Sequence, residues 1–199
     1  KLSEADLCEA FGVGRMRIRR SLLMLASREL VDLLPNRGAY VARPSAKQAQ
    51  DVFDMRMMIE PSMARMAVSK ASVADIDNLA DHVAKERQAQ AAGQRRAAIS
   101  LSGEFHIAMA RVADNAVLTA TVKDLITRSS LIIAMFGDTG VNNNCRDDEH
   151  ARLLDAMRQK DSALAEKLMQ DHIRHIRDHL DLDREPQRSQ DIVSLFATR

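Results

Sequence analysis

Four arginines lie within a short stretch near the start of the chain, at Arg15, Arg17, Arg19 and Arg20. Arg15 and Arg19 are four residues apart, so on a helix they share one face. A guanidinium group can donate two parallel hydrogen bonds to O6 and N7 of a guanine in the major groove of DNA. The chemistry that this spacing favours is recognition of double-stranded DNA, although an arginine-rich helix taken alone is more often a solvated face.

The surrounding sequence predicts the elements that would present these arginines. Ser3 is a predicted N-cap for a first helix, and Gly12 is predicted to end it. Gly14 then precedes a second helical pattern that carries the arginines. Two short helices joined by a tight turn, the second of them basic, form the reading unit of helix-turn-helix proteins.

A hairpin is predicted to follow the second helix. Short strands are expected at 31–34 and 39–42, around a turn formed by residues 35–38. Arg37 and Gly38 lie at the tip, where the glycine permits close approach to a DNA backbone. A hairpin in this position makes the unit a winged helix-turn-helix.

The charge distribution favours a nucleic-acid partner for this first part only. Residues 1–44 carry eight lysines and arginines against five acids, a net charge of +3, whereas the net charge of the whole chain is +1. A basic module on a slightly acidic remainder suits a phosphate backbone. The chain has two cysteines, which is not a disulfide framework and favours a reducing compartment. No apolar run approaches the length of a membrane span.

The sequence after Pro44 predicts helices alone. They are expected near 46–70, 72–93, 95–114, 116–136, 146–160 and 161–180. The predicted fold class is mainly α, and the predicted domains are 1–44, 45–182 and a polar tail at 183–199.

The first domain resembles the DNA-binding domain of GntR-type bacterial transcription regulators. The resemblance rests on LSEADLCEAFGVGRMRIRRSLLMLASRELV and NRGAYV. The second domain resembles the helical effector domain, called FCD, of the FadR-like branch of that family. Three segments carry this second resemblance: DVFDMRMMIEPSMA, EFHIAMARVADNAVL and DEHARLLDAMRQKDSALAEKLMQDHI.

The resemblance implies a winged helix-turn-helix, here without the family's first helix, followed by an all-α bundle of six to seven helices, and a homodimer. Arg15 and Arg19 match the family's DNA-contacting arginines, and Arg17 is the natural third contact. Where this chain departs from the family pattern, its recognition helix carries more basic residues than the family usually has there. The expected DNA-binding residues are Arg15, Arg17, Arg19, Arg37 and Gly38.

The resemblance also implies a metal site. His106, His150 and His172 match the family's metal positions, on three predicted helices and beside apolar stripes. Zn, Ni or Mn are plausible ions for such imidazoles. The family often has an Asp ligand one turn before the first histidine, where this chain has Ser102. An effector is expected to contact Ser102, where the carboxylate ligand is missing, and Arg56, which matches a family position near the effector cavity. Arg56 could instead form an ion pair with Glu60.

The predicted function is a DNA-binding transcription regulator, expected to be a repressor, and not an enzyme. Its expected partners are an operator in double-stranded DNA, a small carboxylate effector and a second copy of the chain. Its expected location is the bacterial cytoplasm, at the nucleoid, with no membrane association. Two alternatives stay open: a metal-responsive regulator, and a metalloenzyme that uses an open three-histidine site.

Overall fold

A computed structural model describes residues 1–137 and 148–183 of the 199-residue chain. The chain divides into two compact units, Lys1–Pro44 and a second that begins at Ser45. Nearly all of the predicted tail at 183–199 lies outside the described residues, as does the predicted start of a helix at 146. Each described unit has its own hydrophobic core.

The first unit begins with two helices, α1 (Glu4–Phe11) and α2 (Arg15–Ala26). The Ser3 side chain accepts a hydrogen bond from the backbone N–H of Asp6, and Gly12 ends α1 in the left-handed region at φ 60°. Gly14 is the N-cap of α2. The sequence predicts these three caps. Serine can satisfy a free N–H at the start of α1, and glycine adopts the positive φ at position 12 without strain.

A two-stranded antiparallel hairpin completes the first unit. Its strands are β1 (Val31–Leu34) and β2 (Gly38–Val41), so the second strand begins and ends one residue earlier than predicted. Gly38 pairs with Leu34 and has a φ of 91°, a conformation that favours glycine. The small core joins helices and hairpin through five buried side chains: Leu7, Ile18, Leu22, Val31 and Ala39.

Six helices form the described part of the second unit, close to the predicted ranges. They are α3 (Ala46–Lys70), α4 (Val73–Ala91), α5 (Arg95–Val112), α6 (Ala116–Phe136), α7 (Glu149–Arg158) and α8 (Ser162–Asp178). Ser45 and Ser72 each begin a helix with a reciprocal capping box, which satisfies two backbone N–H groups at each start.

Helix α3 occupies the centre of this bundle, because it packs against α5, α6, α7 and α8. Helix α4 closes the bundle against α5 and α7. Among the fully buried side chains are Phe53, Met63, Phe105 and Met169. This arrangement brings one face of α5, α7 and α8 towards a common interior. Among residues 1–137 and 148–183, none of the helices combines the length and the apolar composition that a membrane-spanning helix needs.

Candidate metal centre and DNA interface

The bundle brings together the three histidines at the predicted metal positions. His106 lies on α5, His150 in the first turn of α7 and His172 on α8, and each is at most 2% exposed. The Nε2 atom of His172 lies 3.1 Å from that of His106 and 3.2 Å from that of His150. All three imidazoles offer a ligand atom within 4.8 Å of one another.

Each of these imidazoles has a carboxylate on its other side. The Nδ1 atom of His150 lies 2.7 Å from Glu86 Oε2, and that of His172 lies 2.7 Å from Glu149 Oε2. The Nδ1 atom of His106 lies 2.5 Å from Glu60 Oε2. The cluster therefore consists of three carboxylate–imidazole pairs.

These pairs determine which nitrogens can bind a metal. An ionised carboxylate only accepts hydrogen bonds, so an imidazole that carries a single proton holds it on the Nδ1 atom beside the carboxylate. With that tautomer, the Nε2 atom of His172 carries a lone pair and lies 3.1 and 3.2 Å from the unprotonated Nε2 atoms of His106 and His150, so these contacts are not hydrogen bonds. An ion bound at about 2.0–2.2 Å from each nitrogen would hold neighbouring ligand nitrogens about 3.0–3.4 Å apart. The residues present therefore fit a divalent metal.

The protonation of two of the three histidines also suits a metal. Burial lowers the pKa of His106 to about 4, against the opposing effect of Glu60. Burial likewise lowers the pKa of His172 to about 3, with Glu149 opposing and the neighbouring histidines adding to the shift. Both imidazoles are therefore neutral at pH 7, which is the form that coordinates a metal.

Arg56 is held inside the bundle by Glu60, one of the two outcomes that the sequence allows. Its Nε atom lies 2.5 Å from Glu60 Oε1, and its Nη1 atom donates to Ser129 Oγ at 3.1 Å. Burial raises the pKa of Glu60, but Arg56 and His106 outweigh burial and hold that pKa well below its ordinary value. Glu60 thus connects a buried arginine to a candidate metal ligand.

A small cavity adjoins His106, among α3, α5, α6 and α8. Arg56, Ser102 and Ser129 contribute to its lining. Its volume is about 10 Å³, which is room for one water molecule. Both residues predicted to contact an effector, Arg56 and Ser102, therefore border the same cavity beside His106.

Gly103 allows the two helices around this cavity to approach each other. A Cβ atom at Gly103 would lie 2.8 Å from Ile126 Cγ2 and 3.3 Å from Ser130 Oγ. The first distance is below any normal carbon–carbon contact, so a larger residue would require α5 or α6 to move.

The remaining histidines lie outside the cluster. The imidazole of His82 is 2.7 Å from the carbonyl oxygen of Leu101, and His179 contacts the His175 carbonyl oxygen on its own helix. His175 lies 2.9 Å from Glu149 Oε1, so Glu149 contacts two histidines at once. The sequence prediction named Glu60 only as an alternative partner of Arg56, and it did not place Glu60, Glu86 or Glu149 beside the histidines. Of these, Glu60 carried a signal in its i,i+4 spacing from Arg56, and Glu149 carried one in its position next to His150.

The arginines of α2 form the candidate DNA interface of the first unit. Ile18 and Leu22 anchor the helix in the core, and this leaves Arg15, Arg17 and Arg19 exposed on its outer faces. Arg37 and Gly38 are exposed in the hairpin, in the second position expected to contact DNA. Arg19 Nε also contacts both carboxylate oxygens of Glu4 on α1, at 2.9 and 3.0 Å. This partner was absent from the sequence prediction.

Comparisons with known proteins identify both units. Residues 1–41 match the family model described as bacterial regulatory proteins of the gntR family, and residues 51–175 match the FCD domain. This pairing defines a DNA-binding transcription regulator and not an enzyme. The chain belongs to the GntR family, and its helical unit is an FCD domain.

Curated relatives include repressors and an activator. The HTH-type transcriptional repressor RspR of Escherichia coli is 25% identical over 175 residues, 88% of this chain and 77% of the relative. The repressor NanR of Citrobacter rodentium is 27% identical, over 87% of this chain and 74% of the relative. The Glc operon transcriptional activator of Escherichia coli is 26% identical, over 89% of this chain and 79% of the relative.

Solved structures share the fold. McbR/YncC of Escherichia coli superposes with a TM-score of 0.73 at 19% identity, over 87% of this chain and 82% of that chain. A GntR regulator from Rhodococcus sp. RHA1 superposes with a TM-score of 0.71 at 17% identity, over 89% and 85%. The predicted architecture, mainly α with a winged helix-turn-helix and an α-helical bundle, is confirmed.

Proposed function

We propose that this GntR regulator is a repressor whose operator affinity depends on a divalent metal and a small carboxylate effector in the FCD domain. His106, His150 and His172 would bind the metal through Nε2. The observation that carries the proposal is the convergence of three buried imidazoles, with the Nε2 atom of His172 3.1 and 3.2 Å from those of His106 and His150 and a carboxylate beside each Nδ1 atom.

The metal assignment rests on the donor set. Three imidazole nitrogens suit Zn or Ni well and Mn less well. The carboxylates of Glu60, Glu86 and Glu149 orient the rings and increase the basicity of the ligating nitrogens. Three protein ligands leave coordination positions open for water or an anionic oxygen, and Ser102 is where a fourth protein ligand would otherwise stand.

The effector would enter on the side of His106 where the small cavity lies. Arg56 and Ser102 border this side, together with the Ser129 hydroxyl. A carboxylate is favoured because it can complete the coordination of a metal cation and accept hydrogen bonds from hydroxyl groups. Since the cavity holds only one water, binding would require α5 and α6 to separate. We propose that this movement of α5 and α6 is transmitted to the DNA-binding units.

The DNA contacts proposed are Arg15, Arg17, Arg19, Arg37 and Gly38. Two copies of the chain would place two recognition helices on half-sites about one helical turn apart, or a multiple of it. A small change in the distance or angle between the two recognition helices would weaken operator binding, because the spacing of the half-sites is fixed. Repression is the sign that we propose because RspR and NanR are both named repressors.

The metal content of protein purified without an affinity tag tests the proposal. We expect about one metal per chain in the wild type and in His179→Ala, whose imidazole Nδ1 atom lies 2.8 Å from the carbonyl oxygen of His175 and outside the three-histidine cluster. We expect His150→Ala to lose most of the metal. Equal metal in wild type and His150→Ala would refute the three-histidine site.

A metal-responsive regulator is the second candidate, and the small size of the cavity favours it, since about 10 Å³ accommodates no organic acid. Binding to a DNA duplex selected from a random pool separates the two. A chelator alone would change DNA affinity if the ion is the signal. Short mono- and dicarboxylic acids, added to metal-loaded protein, would change it if a carboxylate is the effector.

A further inference from the structure

The contact between Glu4 and Arg19 joins the two helices of the DNA-binding unit. Glu4 is the first residue of α1, and Arg19 lies in the second turn of α2. A single donor, the Nε–H of Arg19, lies 2.9 and 3.0 Å from the two carboxylate oxygens. The side chains are 59% exposed for Arg19 and 35% exposed for Glu4.

Hydrogen bonds hold the backbone next to Glu4 in place within this unit. The Ser3 side chain caps the turn that contains Glu4, and the backbone N–H of Leu2 donates to Ala39 in the hairpin at 2.8 Å. The backbone on the N-terminal side of Glu4 is therefore attached both to α1 and to the wing. A side chain that bonds to Glu4 takes its orientation from both elements.

The atom that Glu4 binds determines which edge of the guanidinium group is left for DNA. A guanidinium group has five N–H donors, of which Nε supplies one. With Nε directed to Glu4, the two terminal Nη groups form the outward edge of the fork. That edge can pair with guanine O6 and N7.

The other arginines of α2 lack such a constraint. Within residues 1–137 and 148–183, Arg15, Arg17 and Arg20 have no ion-pair partner, and all are exposed. Arginine loses considerable side-chain entropy when it is immobilised on DNA, and an arginine that is already oriented loses less. Arg19 therefore differs from its neighbours in being held before DNA arrives.

We propose that Glu4 is a positioning residue that directs the Nη edge of Arg19 towards one base pair of each half-site. The proposal rests on the assignment of Arg19 as a DNA contact. Glu4 itself repels phosphate, so its contribution is to selectivity between base pairs and not to the overall attraction for DNA.

The effect of Glu4 on selectivity is distinguishable from an effect on folding. Exposed ion pairs contribute little to stability, so Glu4→Gln should unfold at nearly the wild-type temperature. Glu4→Asp retains the charge in the first turn of α1 but has a side chain one methylene shorter. Glu9→Gln removes the same charge from an exposed position on the same helix and serves as the matched control.

The experiment uses the full chain and a DNA duplex selected from a random pool by the wild type. Affinity is measured for that duplex and for duplexes changed at one base pair at a time, at fixed salt. We expect Arg19→Ala to lose preference at one base pair per half-site. In Glu4→Gln and in Glu4→Asp, the preference at that same base pair should fall by a factor of about ten. Glu9→Gln should retain the wild-type preference.

The outcomes separate the two assignments. Loss of preference in Arg19→Ala alone, with Glu4→Gln equal to Glu9→Gln, would overturn the positioning role and leave the Arg19 contact standing. A uniform loss at every base pair in Glu4→Gln and Glu4→Asp would overturn it as well, since that indicates a structural effect. If Arg19→Ala retains the wild-type base preferences, the assignment of Arg19 as a DNA contact is wrong. If the double variant Glu4→Gln/Arg19→Ala has the same base preference as Arg19→Ala alone, the result supports the proposal.

Discussion

Glu86 on α4 lies 2.7 Å from the Nδ1 atom of His150 on α7, and both side chains are 2% exposed. This contact joins two helices that are far apart in the sequence and fixes the tautomer of an imidazole in the candidate metal centre. The same relationship recurs at His172 with Glu149. The predicted properties of the centre depend on these carboxylates as well as on the histidines.

The first prediction is that Glu86→Gln weakens metal binding by about 10- to 100-fold, because it keeps the size of the side chain and removes the charge that makes the imidazole more basic. Competition with a chromophoric chelator measures the affinity. Glu104→Gln, an exposed position on α5, is the control and should bind like the wild type. Unchanged affinity in Glu86→Gln would show that the carboxylate does not act on the metal.

The second prediction concerns the approach of α5 to α6 at Gly103. Gly103→Ala should destabilise the protein by about 1–3 kcal/mol, as over-packed cores do, because its Cβ would lie 2.8 Å from the Ile126 Cγ2 atom. Ile126 is β-branched and stiff in a helix, so this methyl group cannot move away easily. Urea unfolding measures the change in the free energy of unfolding.

A double-mutant cycle isolates that clash. Ile126→Ala removes the Cγ2 atom, so Gly103→Ala should be far less destabilising in the Ile126→Ala background than in the wild type. Strict additivity of the two substitutions would contradict the steric explanation.

The third prediction is that the metal-free protein loses stability as the pH falls below about 6.5. The pKa values of His106 and His172 are lowered from 6.5 to about 4 and about 3 in the folded protein, so the unfolded chain binds more protons in this range. Folded proteins with such groups are most stable above the unfolded pKa and lose that stability as the pH falls towards the folded pKa. The free energy of unfolding should fall by no more than about 1.4 kcal/mol per pH unit for each imidazole.

Urea unfolding in the presence of a chelator, between pH 7 and pH 4.5, measures this slope. His172→Gln should reduce it because one of the two groups is gone. A free energy of unfolding that is constant or higher at acid pH would contradict the buried, neutral state of the imidazoles.

The fourth prediction concerns the recognition helix. Arg15→Ala should weaken binding to the selected DNA duplex by about 1–3 kcal/mol, with the loss concentrated at one base pair, because a bidentate contact to guanine is removed. Arg20→Ala is the comparison, since Arg20 is exposed on another face of α2 and is expected to affect all sequences alike. Equal and uniform losses in both variants would assign both arginines to phosphate.

Local signals predict much of this fold. The caps at Ser3, Gly12 and Ser45 lie where serine and glycine chemistry requires them, and the helices of the bundle lie within a few residues of their predicted ranges. The position of the three histidines came from resemblance to a family. Their spacing in sequence alone does not single them out from the other three histidines.

Other features required the tertiary structure. Glu86 is 64 residues from His150, and no periodicity connects the two. The i,i+4 spacing of Arg56 and Glu60 predicts their ion pair but not its burial, since the same spacing is common on exposed helix faces. The volume of the cavity beside His106 depends on how closely α5 and α6 approach, which is a property of packing.

The most direct test of the metal centre is anomalous diffraction from crystals of untagged protein, recorded on either side of the absorption edges of Zn, Ni and Mn. The structure predicts one strong anomalous peak per chain, about 2.0–2.2 Å from the Nε2 atoms of His106, His150 and His172. A peak at another location, or none above background in protein supplied with these metals, would contradict the proposal that the three histidines bind an ion.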